Sequence, residues 1–134
     1  MKGGCLCGSV RYEAHPDSSS AYYCHCRDCQ IGSGSAFHVA ILASQTSFRH
    51  LSGQTAEYGK LADSGNAITR VFCSACGTPV WWTGEGFPDV VVLSLSSLDD
   101  PDVISPSREV WTDSSVSWCC ISEGIESFPR RPKK

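Results

Sequence analysis

Seven of the chain's nine cysteines fall in three tight groups: Cys5-Leu6-Cys7-Gly8, Cys24-His25-Cys26-Arg27-Asp28-Cys29 and Cys73-Ser74-Ala75-Cys76-Gly77. Thiolates held together by a short turn chelate zinc well, with Zn–S distances of about 2.3 Å and four ligands at tetrahedral corners. Cys7 and Cys76 are each followed by glycine. That residue suits a positive-φ turn that aims backbone N–H groups at the sulfurs. One Cys-x-x-Cys is a weak signal; three groups of this spacing in 134 residues are a strong one. Two pairs compose one closed four-thiolate site, Cys5, Cys7, Cys73 and Cys76, which would clip the N-terminus to a turn some seventy residues later. Cys24, Cys26 and Cys29 then supply three ligands and leave one position open, the pattern of a catalytic zinc. Spacing alone also permits Cys24 or Cys26 to join Cys73 and Cys76. Two zinc ions per chain are expected, the three-thiolate one being the more weakly held.

Other residues compete for these roles. His25 lies between two ligand candidates and, in an extended chain, points away from both; it is read as a supporting or surface residue. His38 sits in an apolar stretch and is read as a satisfied, half-buried histidine. Cys119 and Cys120 are adjacent, cannot both reach one metal, and are read as ordinary thiols.

The elements that must position these groups are short. β-branched and aromatic stretches alternate with Gly, Pro, Asp and Ser, and no 3.6-residue periodicity is sustained. Candidate strands are 9–14, 21–24, 36–42, 47–51, 55–59, 67–72, 79–82, 90–94 and 108–112, with turn signals such as His15-Pro16-Asp17, Ser52-Gly53 and Asp63-Ser64-Gly65-Asn66. One helical turn is plausible near Arg27–Ile31. The class is all-β, with short antiparallel strands. Val90-Val91-Val92-Leu93 reads as a central strand buried on both faces. Of the adjacent Trp81 and Trp82, one should be core and the other exposed or lining a cleft. Residues 1–129 form one domain and 130–134 a solvated basic tail.

Charge excludes some partners. The formal net charge is −3, and four of the 11 basic residues are Arg130, Arg131, Lys133 and Lys134. Residues 1–129 therefore carry a net −7, without the basic stripe that nucleic-acid binding needs. No apolar run approaches the ~20 residues of a membrane span. Met1-Lys2-Gly3-Gly4 leads into a cysteine motif without an apolar signal core. Clustered cysteines without a secretion signal fit a reducing compartment, where they bind metal rather than pair. The expected location is the cytoplasm.

Three motifs, Gly4-Cys5-Leu6-Cys7-Gly8-Ser9-Val10-Arg11-Tyr12, Cys24-His25-Cys26-Arg27-Asp28-Cys29-Gln30 and Phe72-Cys73-Ser74-Ala75-Cys76-Gly77-Thr78-Pro79, occur in that order. Together they resemble the glutathione-dependent formaldehyde-activating enzyme family, which includes centromere protein V-type domains. Lesser echoes are Gly32-Ser33-Gly34-Ser35-Ala36-Phe37, Leu98-Asp99-Asp100-Pro101, Trp111, Trp118 and Phe128-Pro129. The resemblance implies an Mss4-like fold of packed antiparallel sheets. It assigns a structural zinc to Cys5, Cys7, Cys73 and Cys76, and a catalytic zinc to Cys24, Cys26 and Cys29.

The implied reaction joins glutathione to formaldehyde as S-hydroxymethylglutathione, and its reverse is that of a carbon–sulfur lyase. Zinc suits it by ionising a thiol or polarising the aldehyde oxygen. The implied partners are a small-molecule thiol and an aldehyde. Glutathione's two carboxylates call for Arg or Lys. Arg11, Arg27, Arg49, Lys60, Arg70 and Arg108 are available, and sequence places none at the site. The alternative is a non-catalytic zinc-binding module that docks a protein partner, in which a fourth protein ligand closes the triple site.

Overall fold

The computed structural model describes residues 1–119, 121 and 123–132; Cys120, Lys133 and Lys134 lie outside the described residues. Eleven strands are found among them: β1 (Lys2–Gly4), β2 (Arg11–Glu13), β3 (Tyr22–Cys24), β4 (His38–Ser44), β5 (Arg49–Ser52), β6 (Thr55–Leu61), β7 (Ala67–Cys73), β8 (Pro79–Gly84), β9 (Val90–Ser94), β10 (Arg108–Val110) and β11 (Glu126–Ser127). One α-helix, α1 (Arg27–Ser33), joins β3 to β4. The strands form a three-stranded sheet, β1-β2-β5, and an eight-stranded sheet, β11-β10-β3-β4-β9-β8-β7-β6.

β9 lies between β4 and β8. A strand covered on both faces has no polar face to alternate with, so its apolar run is buried from Val91 to Leu93, as its composition implied. One face of the large sheet packs on the small one through Val10, Tyr12, Ile41, Val80, Trp81, Val91 and Leu93. Tyr12 is fully buried, so its hydroxyl needs a partner there; it bonds Ser97 Oγ at 2.6 Å. The opposite face carries Ala40, Trp82 and Val92, and Cys24 of β3 and Val110 of β10 cluster with Cys29 of α1.

Two sequence expectations change. Trp81 and Trp82 do point to opposite faces, but both are buried, because both faces of β8 are covered. The sheets are not wholly antiparallel: β10 runs parallel to both β3 and β11. Arg130, at the start of the basic tail, is docked. Its carbonyl accepts from Trp111 N at 3.2 Å, and its guanidinium lies 5.8 Å from the Trp111 ring centre.

Candidate metal centres

The fold gathers the seven cysteines into two groups, Cys5–Cys7–Cys73–Cys76 and Cys24–Cys26–Cys29. Within each, all sulfurs lie within 4.8 Å of one another. The alternative in which Cys24 or Cys26 joins Cys73 and Cys76 is not the arrangement found.

The four-thiol group forms where the loop after β1 meets the turn between β7 and β8. Gly8 and Gly77 have φ of 83° and 77°, the left-handed geometry that glycine adopts without steric cost. The turns then aim amides at sulfur: Val10 N–H reaches Cys5 Sγ at 3.2 Å, and the Ala75 and Cys76 amides reach Cys73 Sγ at 3.4 Å. Leu6 N–H bonds Thr78 Oγ1 at 3.1 Å, tying the two loops together. Cys5 Sγ stands 3.5 Å from Cys7 Sγ, and Cys7 Sγ 3.8 Å from Cys73 Sγ. Sulfurs at tetrahedral corners about 2.3 Å from a zinc would be separated by about 3.8 Å. The donor set and its spacing fit the ion. The Cys76 thiol is lowered to about 5, chiefly by its bonds with the Thr78 hydroxyl and amide.

The three-thiol group sits at the junction of β3 and α1. Cys24 ends β3, Cys26 caps the helix with its sulfur accepting from Cys29 N–H at 3.4 Å, and Cys29 lies one turn in. Gly34 closes the helix in the left-handed conformation. Gln30 Nε2 anchors α1 by donating to the carbonyls of His25 and Ser114 at 2.7 and 2.9 Å. Tyr22, Val110, Trp111 and Phe128 pack around the thiols. Trp111 alone among the described non-glycine residues has a positive φ, 59°, an uncommon conformation for a bulky side chain.

Without a cation the three sulfurs cannot all carry charge. Hydrogen bonds from Cys24 and Cys29 lower the Cys26 thiol to about 2. Those Cys24 gives to Cys26 and Cys29, together with burial, push it up. Cys29, although lowered by its bond with Cys24, is carried up to about 11 by its bond with Cys26 and by burial. A bound cation lets coordinated thiols ionise together, so the soft donor set fits zinc here too. No fourth His, Cys, Asp or Glu among the described residues joins the group.

His25 is not among the grouped donors. It is buried, with Nε2 3.1 Å from Glu109 Oε2 and Nδ1 without a partner. His38 is more buried and less satisfied than its sequence context implied. It is 6% exposed, Nε2 bonds Ser94 Oγ at 3.2 Å, and Nδ1 has no partner. Its ring lies 4.6 Å from that of Trp82. Sequence reasoning could not select Arg70, on β7. Its Nη2 lies 3.8 Å from Cys29 Sγ, and its guanidinium lies 5.3 Å from the Trp82 ring centre.

The sequence matches the family described as glutathione-dependent formaldehyde-activating enzyme over residues 1–114, a span that contains all seven clustered cysteines. The chain belongs to this family. Among the family's proteins, one from Halomonas elongata named "Putative glutathione-dependent formaldehyde-activating enzyme" is 30% identical over 115 residues, covering 81% of this chain and 71% of that protein. A crystal structure of a Rhodobacter sphaeroides protein shares the fold, with a TM-score of 0.62 at 22% identity, over 74% of this chain and 88% of that one. No helix among the described residues is long and apolar enough to cross a membrane.

Proposed function

We propose that the protein is a zinc-dependent enzyme of the carbon–sulfur lyase class, resembling an S-(hydroxymethyl)glutathione synthase, that joins a small thiol to a small aldehyde and reverses the reaction. The observation that carries this reading is the group Cys24–Cys26–Cys29, with three sulfurs within 4.8 Å and no fourth protein donor among the described residues. Three protein ligands and an open position mark a catalytic zinc site, whereas four mark a structural one. Family membership supports the substrate pair, glutathione and formaldehyde. Cys5, Cys7, Cys73 and Cys76 would hold the structural ion, and Cys24, Cys26 and Cys29 the catalytic one. Zinc at the open site would supply Lewis acidity and favour an ionised thiol.

The chain's own residues do the rest. Tyr22, Val110 and Phe128 exclude water from one side of the thiols, which strengthens electrostatics there. Gln30 fixes the helix that carries two of the three sulfurs. In the reaction a carbon–sulfur bond forms between the thiol sulfur and the carbonyl carbon, the thiol proton ends on the former carbonyl oxygen, and nothing is oxidised. The reading belongs to a cytoplasmic protein of one zinc-binding domain, residues 1–129, with a short basic tail.

The test is exchange NMR of glutathione and formaldehyde with the zinc-loaded protein. Adduct interconversion should be faster than the spontaneous rate, and no acceleration would remove the named activity.

A further inference from the structure

The basic side chains available to hold a substrate carboxylate are, with few exceptions, already engaged. Arg11 forms a two-point pair with Asp99. Arg27 Nη1 donates to Gln30 Oε1 at 3.0 Å, Arg49 faces Glu13 at 3.9 Å, and Lys60 bonds Asp28 at 2.7 Å. Arg108 begins β10, between β11 and β3, in register with Glu126 and Tyr22. Arg70 differs. It is half-buried, and it borders a sulfur of the triple at 3.8 Å. The acidic residue in the first turn of the adjacent helix, Asp28, is taken by Lys60, and no carboxylate pairs with Arg70 among the described residues.

Trp82 holds the guanidinium by one face, which orients it without using its N–H groups. On another side lies Gly32. A Cβ built there would stand 3.6 Å from Arg70 Nη1, so glycine leaves that edge of the fork uncovered. Gly32 has no positive φ to require it, and glycine disfavours a helix interior. With Nη2 turned to the Cys29 sulfur and no carboxylate paired with it among the described residues, the oriented fork keeps its Nη1 edge, beside Gly32, for a substrate carboxylate.

We propose that Arg70 anchors a carboxylate of the thiol substrate and thereby selects carboxylate-bearing thiols over neutral ones. This deepens the proposed function and rests on it for the identity of the thiol. Arg70 is here a specificity-determining residue that touches substrate away from the reacting atoms.

The test uses the zinc-loaded full chain and S-methylglutathione, which has both carboxylates but no free thiol, beside its diethyl ester. Binding is measured by calorimetry for the wild type, R70Q and R70K. Losing a hydrogen-bonded charge partner should weaken binding of the acid about ten- to hundredfold in R70Q. The diester should bind the wild type as weakly as the acid binds R70Q, and R70K should fall between. Equal binding of acid and diester by the wild type, or unchanged binding in R70Q, overturns the proposal. Should R70Q lose zinc, R70K keeps the charge and decides: weakened binding of the acid alone supports the anchor, and unchanged binding overturns it. Adduct formation with 2-mercaptoethanol and formaldehyde separates the two readings. If the wild type accelerates no thiol–aldehyde pair yet binds the acid through Arg70, the enzymatic reading fails and the anchor stands. If it accelerates adduct formation with neutral and carboxylate-bearing thiols alike, with no selective loss in R70Q, the anchor fails and the enzymatic reading stands.

Discussion

Cys7 and Cys73 are 66 residues apart in the chain, and their sulfurs stand 3.8 Å from each other. Thiolates this close repel unless a cation lies between them, so the contact costs stability without a metal. The same holds for Cys24, Cys26 and Cys29. Fully loaded protein should therefore carry two zinc ions per chain by elemental analysis. Mild chelation should remove the ion at the triple first, because it has one fewer protein ligand. Folded protein without metal would contradict the assignment of both sites.

Thiol chemistry follows from the same geometry. Zinc-bound thiolates in a reducing compartment do not form disulfides. After denaturation and chelation, all nine cysteines should react with a thiol reagent. Disulfides within the clusters would place the protein in an oxidising compartment and replace metal by covalent cross-links.

Both cysteine groups were legible as candidate metal sites because thiolate chelation demands close spacing within each Cys pair or triple. Nine of the eleven strands were also legible, since alternation and turn residues mark them locally. β1 and β11 were not. Lys2–Gly4 has little strand propensity and exists through its pairing with β2, and Glu126–Ser127 exists through pairing with β10. Strand direction is tertiary information, so the parallel placement of β10 left no trace in its own residues. Arg70 is an ordinary strand residue in sequence. Its place beside Cys29 arises because its long side chain reaches from β7 to a sulfur of α1, forty-one positions away in the chain.

His38 should give the protein an acid-sensitive step. Burial, and next the charge of Arg70, lower its imidazole to about 4, against about 6.5 in the unfolded chain. The unfolded state then binds more protons between these values, so stability is fully present above pH 6.5 and falls as pH drops towards 4. The shift corresponds to about 3 kcal/mol. Chemical unfolding from pH 7.5 to 4 should show a shallower acid limb for His38→Gln than for the wild type. Both proteins carry the same thiols, so acid release of zinc is common to them and the difference reports His38. Identical slopes would mean that the ring is not held neutral.

The two centres should fail differently when one ligand is removed. Cys76 completes a group that joins the first residues of the chain to the β7–β8 turn, and few other polar bonds fasten those loops. Structural zinc contributes on the order of 10 kcal/mol to folding in small zinc peptides, comparable to the ~5–15 kcal/mol that stabilises a whole domain. Cys76→Ser should therefore lower the melting temperature sharply and cost solubility. Cys29 belongs to a local group on β3 and α1, and the helix keeps its anchors through Gln30 and the Lys60–Asp28 pair. Cys29→Ser should lose about one zinc equivalent, keep most of the fold and abolish thiol–aldehyde chemistry. Zinc content, thermal unfolding and adduct exchange on both variants decide the matter. If Cys29→Ser unfolds the protein as severely as Cys76→Ser, both centres are structural. If it retains full activity, the chemistry lies elsewhere than at the triple.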